Sequence, residues 1–186
     1  ALADAAMLAR RKAAWDKALV IEVARERVDA LKKFLEAYPK TVRRNDALEI
    51  ILKLRSDIGN ERLVAGDVPA AVETFKIAVE EAPKPIAEPI FNETLAKYAP
   101  NLFFRGATAE ALQIQRSIEK VVDTNIPQLL AIANFYLSVE NGVDALRVAD
   151  ELAKLKPDSA QIQQVRALGL RMLFQLDESE AAFGKT

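Results

Sequence analysis

Apolar residues recur three and four positions apart along nearly the whole chain, and the short, alternating, β-branched runs that mark strands are missing. That period predicts helices throughout. They are divided where residues stop or turn a helix: Pro39, Gly59, Gly66, the group Pro83, Pro85 and Pro89, then Pro100, Gly106, Pro127, Gly142 and Pro157. No glycine or proline precedes Pro39. Trp15, Leu19 and Val23 make one helical stripe and Val28, Leu31, Leu35 and Tyr38 another, so this segment is either one long helix or two with a tight junction near Glu22.

The stretch RSDIGNERLVAGDVPAAVETFKIAVEEAP carries Ile58 and Gly59 together, then Gly66, Ala71, Phe75, Ala78 and Pro83. Small residues at Gly59, Ala71 and Ala78 let two antiparallel helices approach closely, Phe75 fills the gap they leave, and Pro83 ends the second helix. The pattern recurs in LLAIANFYLSVENGVDALRVADELAKLKP, with Leu129, Ile132, Ala133 and Tyr136 followed by Ala145, Ala149, Leu152 and Pro157. A weaker copy lies between them, with Gly106, Ala111, Ile118 and Asp123, and Asp123 stands 34 residues before Pro157.

This spacing resembles the tetratricopeptide repeat, a helix-turn-helix unit of about 34 residues. The resemblance implies an all-α fold, a right-handed antiparallel helix array or α-solenoid of about 8–10 helices. Along one continuous solenoid the units are 1–41, an N-terminal helical segment open to reading as a degenerate repeat; 42–85, with a lengthened first helix capped by Asn45 or Asp46; 86–125, degenerate, with its extra residues near Pro100–Gly106; 126–159; and 160–186, a partial unit. In the partial unit Leu168 and Gly169 resemble the first-helix pair, and DESEAAF starts the second helix. The pattern stops half way along that helix with no polar cap, which predicts that these 186 residues are part of a longer protein. The end of the first segment, FLEAYPKT, also resembles the second repeat helix of bacterial envelope assembly lipoproteins.

Charge and composition narrow the function. The 26 basic residues are balanced by 27 acidic ones, so no basic surplus exists to neutralise a nucleic-acid backbone or dock on an anionic membrane. Without cysteine there are no disulfides, thiolate metal sites or cysteine nucleophiles, and without histidine the commonest general base and metal ligand is gone. Glu80, Glu81, Asp177, Glu178 and Glu180 fall at helix ends or turns, where solvated acids are expected, and no glycine-rich phosphate loop occurs. No apolar run reaches the roughly 18–20 residues that span a bilayer, and no signal-peptide layout appears. The expectation is a soluble, non-catalytic protein without cofactor or metal, whose compartment stays open between the bacterial cytoplasm and, if a targeting segment stood before Ala1, the envelope or periplasm.

The resemblance also supplies candidate site residues. First helices line the concave face of such arrays, which puts Lys53, Ser56, Asn60, Leu63 and Val64 of one unit and Leu130, Asn134, Leu137 and Ser138 of a later one toward a partner. Asn60 and Asn134 occupy the same place in their units, and an amide there can donate to and accept from an extended peptide backbone. The carboxylate clamp of chaperone-binding relatives is incomplete, since Ser56 stands where a lysine would help and only Arg166 could add a cation. A second candidate is the apolar group Leu102, Phe103 and Phe104, either an exposed knob for a partner or side chains tucked between helices. These residues predict a scaffold or adaptor holding a peptide or partner helix. The alternatives are the substrate-recognition or structural arm of a larger enzyme whose catalytic domain lies outside this segment, and self-association through the uncapped C-terminal face or the N-terminal helix.

Overall fold

In the computed structural model, which describes residues 2–185, the chain is helical throughout, with no strand among the described residues. Five helical hairpins follow one another: α1 (Leu2–Leu19) with α2 (Ala24–Ala37), α3 (Arg44–Val64) with α4 (Val68–Glu80), α6 (Leu95–Phe103) with α7 (Thr108–Val122), α8 (Ile126–Ser138) with α9 (Gly142–Leu155), and α10 (Ala160–Met172) with α11 (Leu176–Phe183). A short α5 (Glu88–Glu93) precedes the third hairpin. It brings the helices to eleven among the described residues, where eight to ten were expected. Thr94 separates α5 from α6, with φ −122° and ψ −86° and its hydroxyl donating to the Ile90 carbonyl at 2.6 Å.

The N-terminal segment is two helices, with the junction at residues 20–23 held by Arg27 Nε donating to the Ile21 carbonyl. In α2 the buried stripe is Val28, Leu31 and Phe34, while Leu35 and Tyr38 are half-buried at its edge. Phe34 packs between Trp15 and Tyr38, each ring 5.3 Å away.

Four of the five hairpins turn in the same way. At Gly66, Gly106, Glu140 and Phe174 the backbone enters the left-handed region, at φ 82°, 80°, 58° and 60°. Each of these N–H groups donates to the carbonyl three residues back, and the next N–H to the carbonyl five back, as in Gly66 to Leu63 and Asp67 to Arg62. These two bonds are the helix-ending pair that satisfies carbonyls left over at a C-terminus. The four turns are 40, 34 and 34 residues apart. The second helices then start on side-chain caps where the sequence provides them, from Asp67 to the Ala70 N–H and from Asn141 to the Asp144 N–H, each at 3.1 Å.

Counting from those turns aligns the core. Seven residues before each turn stand Gly59, Ala99, Ala133 and Ala167, all buried. Five residues after it stand Ala71, Ala111, Ala145 and Ser179, also buried. Small side chains at both places let the two helices of a hairpin meet. A Cβ added to Gly59 would overlap the Phe75 ring, which itself stacks on Tyr98 with centroids 4.2 Å apart. One apolar cluster runs without interruption from Leu52 to Val165. Smaller separate clusters hold the two ends, Ala18, Val28, Leu31, Ala47 and Ile51 at one and Ala167, Leu170 and Ala182 at the other.

Three sequence expectations are corrected here. Neither Asn45 nor Asp46 caps the lengthened first helix: both lie inside α3, which starts after Arg43 with no side-chain cap. The extra residues of the third hairpin are not at Pro100–Gly106, which is the end of α6 and an ordinary turn; they form α5 and its approach, ahead of the first helix. In the last hairpin the register residue is Ala167, not the Leu168 and Gly169 pair. Gly169 serves a different contact, lying so close to α9 that its Cβ would sit 3.2 Å from the Leu146 Cβ and backbone nitrogen.

Candidate functional site

The first helices follow one another along the array, with α3 beside α6, α6 beside α8 and α8 beside α10. Thirteen residues before each turn stand Lys53, Glu93, Pro127 and Gln161. Lys53 of α3 and Glu93, the last residue of α5, pair at 2.8 Å. The hydrogen bond from Lys53 holds the Glu93 carboxyl below its ordinary range.

Two open clefts lie on these helices, and they share no lining residue. The first, of about 480 Å³, is walled by Asn60, Leu63, Val64, Asn101, Phe104 and Arg105. Asn101 Nδ2 donates to Asn60 Oδ1 at 3.0 Å, and Arg105 Nη1 donates to the Leu63 carbonyl at 2.9 Å. The second, of about 550 Å³ between α8 and α10, has apolar walls from Pro127, Leu130 and Ala131 and polar groups from Asn134, Lys156 and Gln161. Asn134 is exposed, and its amide has no partner among the described residues.

The expected site residues therefore separate. Asn60 and Val64 line the first cleft, and Leu130 and Asn134 the second. Val64 is exposed, whereas Asn60 already spends its amide oxygen on Asn101. Lys53 is exposed but tied to Glu93. Ser138 is exposed, with its hydroxyl donating to the Phe135 carbonyl at 2.7 Å, and Leu137 is half-buried against the core.

Ser56 does not reach the open face. It is buried, its hydroxyl bonded to the Leu52 carbonyl and to the Tyr98 hydroxyl, so it satisfies a phenol that would otherwise be stranded in the core. Burial pushes the Tyr98 phenol well above its ordinary pKa. The Leu63 side chain is also buried, and only its carbonyl serves the cleft, as the acceptor for Arg105. The apolar group divides in three. Leu102 is fully buried in the core and cannot be a contact; Phe103 is half-buried, edge-on to Phe135 at 6.5 Å; Phe104 is 85% exposed.

Asn101, Arg105, Lys156 and Gln161 were missed from sequence. Asn101 and Arg105 flank the aromatic pair that drew notice, but they meet α3 only through contacts 41 and 42 residues long in sequence. Gln161 needed the register of the last hairpin, which a misleading glycine had displaced.

No protein-family model matches the chain, and no curated protein matches it. Among solved structures, a crystal structure of MamA protein is similar at 16% identity and a TM-score of 0.45, over 87% of this chain and 80% of that one. A tetratricopeptide repeat protein from Parabacteroides merdae ATCC 43184 has the same identity and TM-score over 94% of this chain and 64% of that one. A further MamA structure has 14% identity and a TM-score of 0.41 over 87% and 85%. The turn spacing and the small residues in register with it decide the fold. It is a tetratricopeptide-repeat-like solenoid. In that solenoid Asn60 and Asn134 hold one register position, six residues before their turns, in two different clefts. Among the described residues no helix is long and apolar enough to cross a membrane.

Proposed function

We propose that this solenoid is a non-catalytic interaction scaffold that holds an extended peptide, or a partner helix, against its first helices. One observation carries the reading: the unpartnered, exposed Asn134 amide stands beside the apolar walls of the α8–α10 cleft. A carboxamide offers both a donor and an acceptor, the pair that an extended backbone needs, while the exposed Pro127 and Ala131 supply surface for alternate side chains, over a Leu130 that is itself buried in the core.

The test is to select peptides from a random dodecapeptide display library on the purified chain and titrate the selected sequences by fluorescence anisotropy. Asn134→Ala should weaken them by roughly 3- to 10-fold, the worth of about one net hydrogen bond, with helicity and melting temperature unchanged. Equal affinity for parent and variant, or no peptide selected, overturns the proposal.

A further inference from the structure

The cleft between α3 and α6 has a chemistry of its own. Among its six lining residues Arg105 is the only charged one, and no carboxylate among the described residues pairs with it. Its Nη1 is fixed on the Leu63 carbonyl at 2.9 Å, at the C-terminal end of α3, which holds the guanidinium in place and leaves Nε and Nη2 free to donate. Asn60 accepts from Asn101 through Oδ1, and so keeps both Nδ2 protons for a ligand. The free donors therefore face a cleft without a competing acid. Beside them Val64 is 75% and Phe104 85% exposed, apolar surface on both the α3 and the α6 side.

We propose that this cleft binds an aspartate or glutamate side chain of a peptide partner, with an adjacent apolar side chain of the same peptide against Phe104 and Val64. A guanidinium held in a fixed plane favours the planar, two-oxygen carboxylate over a neutral amide of the same shape. Phe104 and Val64 add affinity that does not depend on charge. The near-neutral charge of the whole chain, 26 basic against 27 acidic residues, gives no long-range attraction for a polyanion, so discrimination is confined to this contact. The inference rests on the groove-binding reading above and names the chemistry of its partner.

Three pools of N-acetylated, C-amidated dodecapeptides test it, identical except for a central Glu-Leu, Gln-Leu or phosphoserine-Leu pair within degenerate flanks. The blocked termini leave the side chain as the source of charge. The parent should retain the Glu-Leu pool about five-fold better than the Gln-Leu pool, as a partly exposed charged hydrogen bond provides. Arg105→Gln should erase that preference, Arg105→Lys should keep part of it, and Phe104→Ser should weaken both pools alike, with far-UV circular dichroism unchanged in all three variants. Equal retention of Glu-Leu and Gln-Leu by the parent, with binding still lost in Asn134→Ala, overturns this inference while leaving the groove intact. Stronger retention of the phosphoserine pool overturns it in favour of a phosphate site. Retention of no pool overturns both readings.

Discussion

Gly59 and Phe75 show how a single hydrogen in place of a methyl sets the distance between two helices. Phe75 has no solvent exposure and is clamped against Tyr98, so it cannot swing aside for a new Cβ. Gly59→Ala gains up to about 1 kcal/mol in helix propensity but overpacks the core by about 1–3 kcal/mol. A net loss of about 1–2 kcal/mol is expected in urea denaturation, recovered in part by adding Phe75→Leu. Asp144 is the opposite kind of residue, a buried charge kept by its partners. It accepts from Arg116 Nη2 and Asn141 Nδ2 at 2.8 Å each and from Arg147 Nη2 at 3.1 Å. Burial alone would raise its pKa, but the hydrogen bonds from Arg116, Arg147 and Asn141 outweigh it and hold the carboxyl below its ordinary value. A depressed folded pKa gives stability that is present above the unfolded value, about 3.9, and is lost as pH falls through the folded value. Asp144→Asn should therefore cost about 1–3 kcal/mol at neutral pH, and the difference from the parent should shrink in melts below about pH 4. At this scale the site was half legible. Asn60 and Asn134 could be placed because repeat spacing transfers from unit to unit. Ser56 could not, because a hydroxyl in a helix reads as polar and exposed until its partner, Tyr98 on another hairpin, is known.

At the scale of the helix and turn, the repeat was legible where glycine, alanine and proline fell at close approaches and helix ends. It was illegible where ordinary side chains do the same work. Gly66 and Gly106 mark their turns openly, whereas Glu140 and Phe174 adopt the same left-handed backbone with side chains that disfavour it. Six-residue α5 has no room to display a helical period, and the prolines around it read as punctuation. The turn geometry carries its own prediction. Phe174 is 87% exposed, so its ring contributes little packing to offset the backbone strain. Phe174→Gly should stabilise the chain by about 0.5–1 kcal/mol in thermal or urea melts. The same replacement at Ser117, inside α7, should instead cost about 0.5 kcal/mol. A loss at Phe174 would mean that its ring is a packing residue after all.

Across the whole molecule, stability should fall toward the ends, because each hairpin of a solenoid is held only by its neighbours. The central cluster from Leu52 to Val165 is continuous, and its members Phe75, Leu95, Ile114, Ile132 and Leu152 have essentially no exposure. That cluster takes in Ile162 and Val165 of α10, but α11 buries only Ala182 among its apolar side chains, against Ala167 and Leu170, while its Leu176 and Phe183 remain 60% and 38% exposed. So little buried apolar area cannot tie α11 to the global unfolding event. Native-state hydrogen exchange should find α11 amides opening at a free energy several kcal/mol below those of α4 and α8, with α1 next to exchange. Leu152→Ala separates the two ways such a gradient could arise. It removes a fully buried contact on α9, at a cost of about 2–5 kcal/mol. If coupling passes only between neighbours, protection should fall in α8 to α11 and change little in α1 and α2. If the chain unfolds as one cooperative unit, every slow amide should lose protection equally, and the one-dimensional account of this solenoid would be wrong.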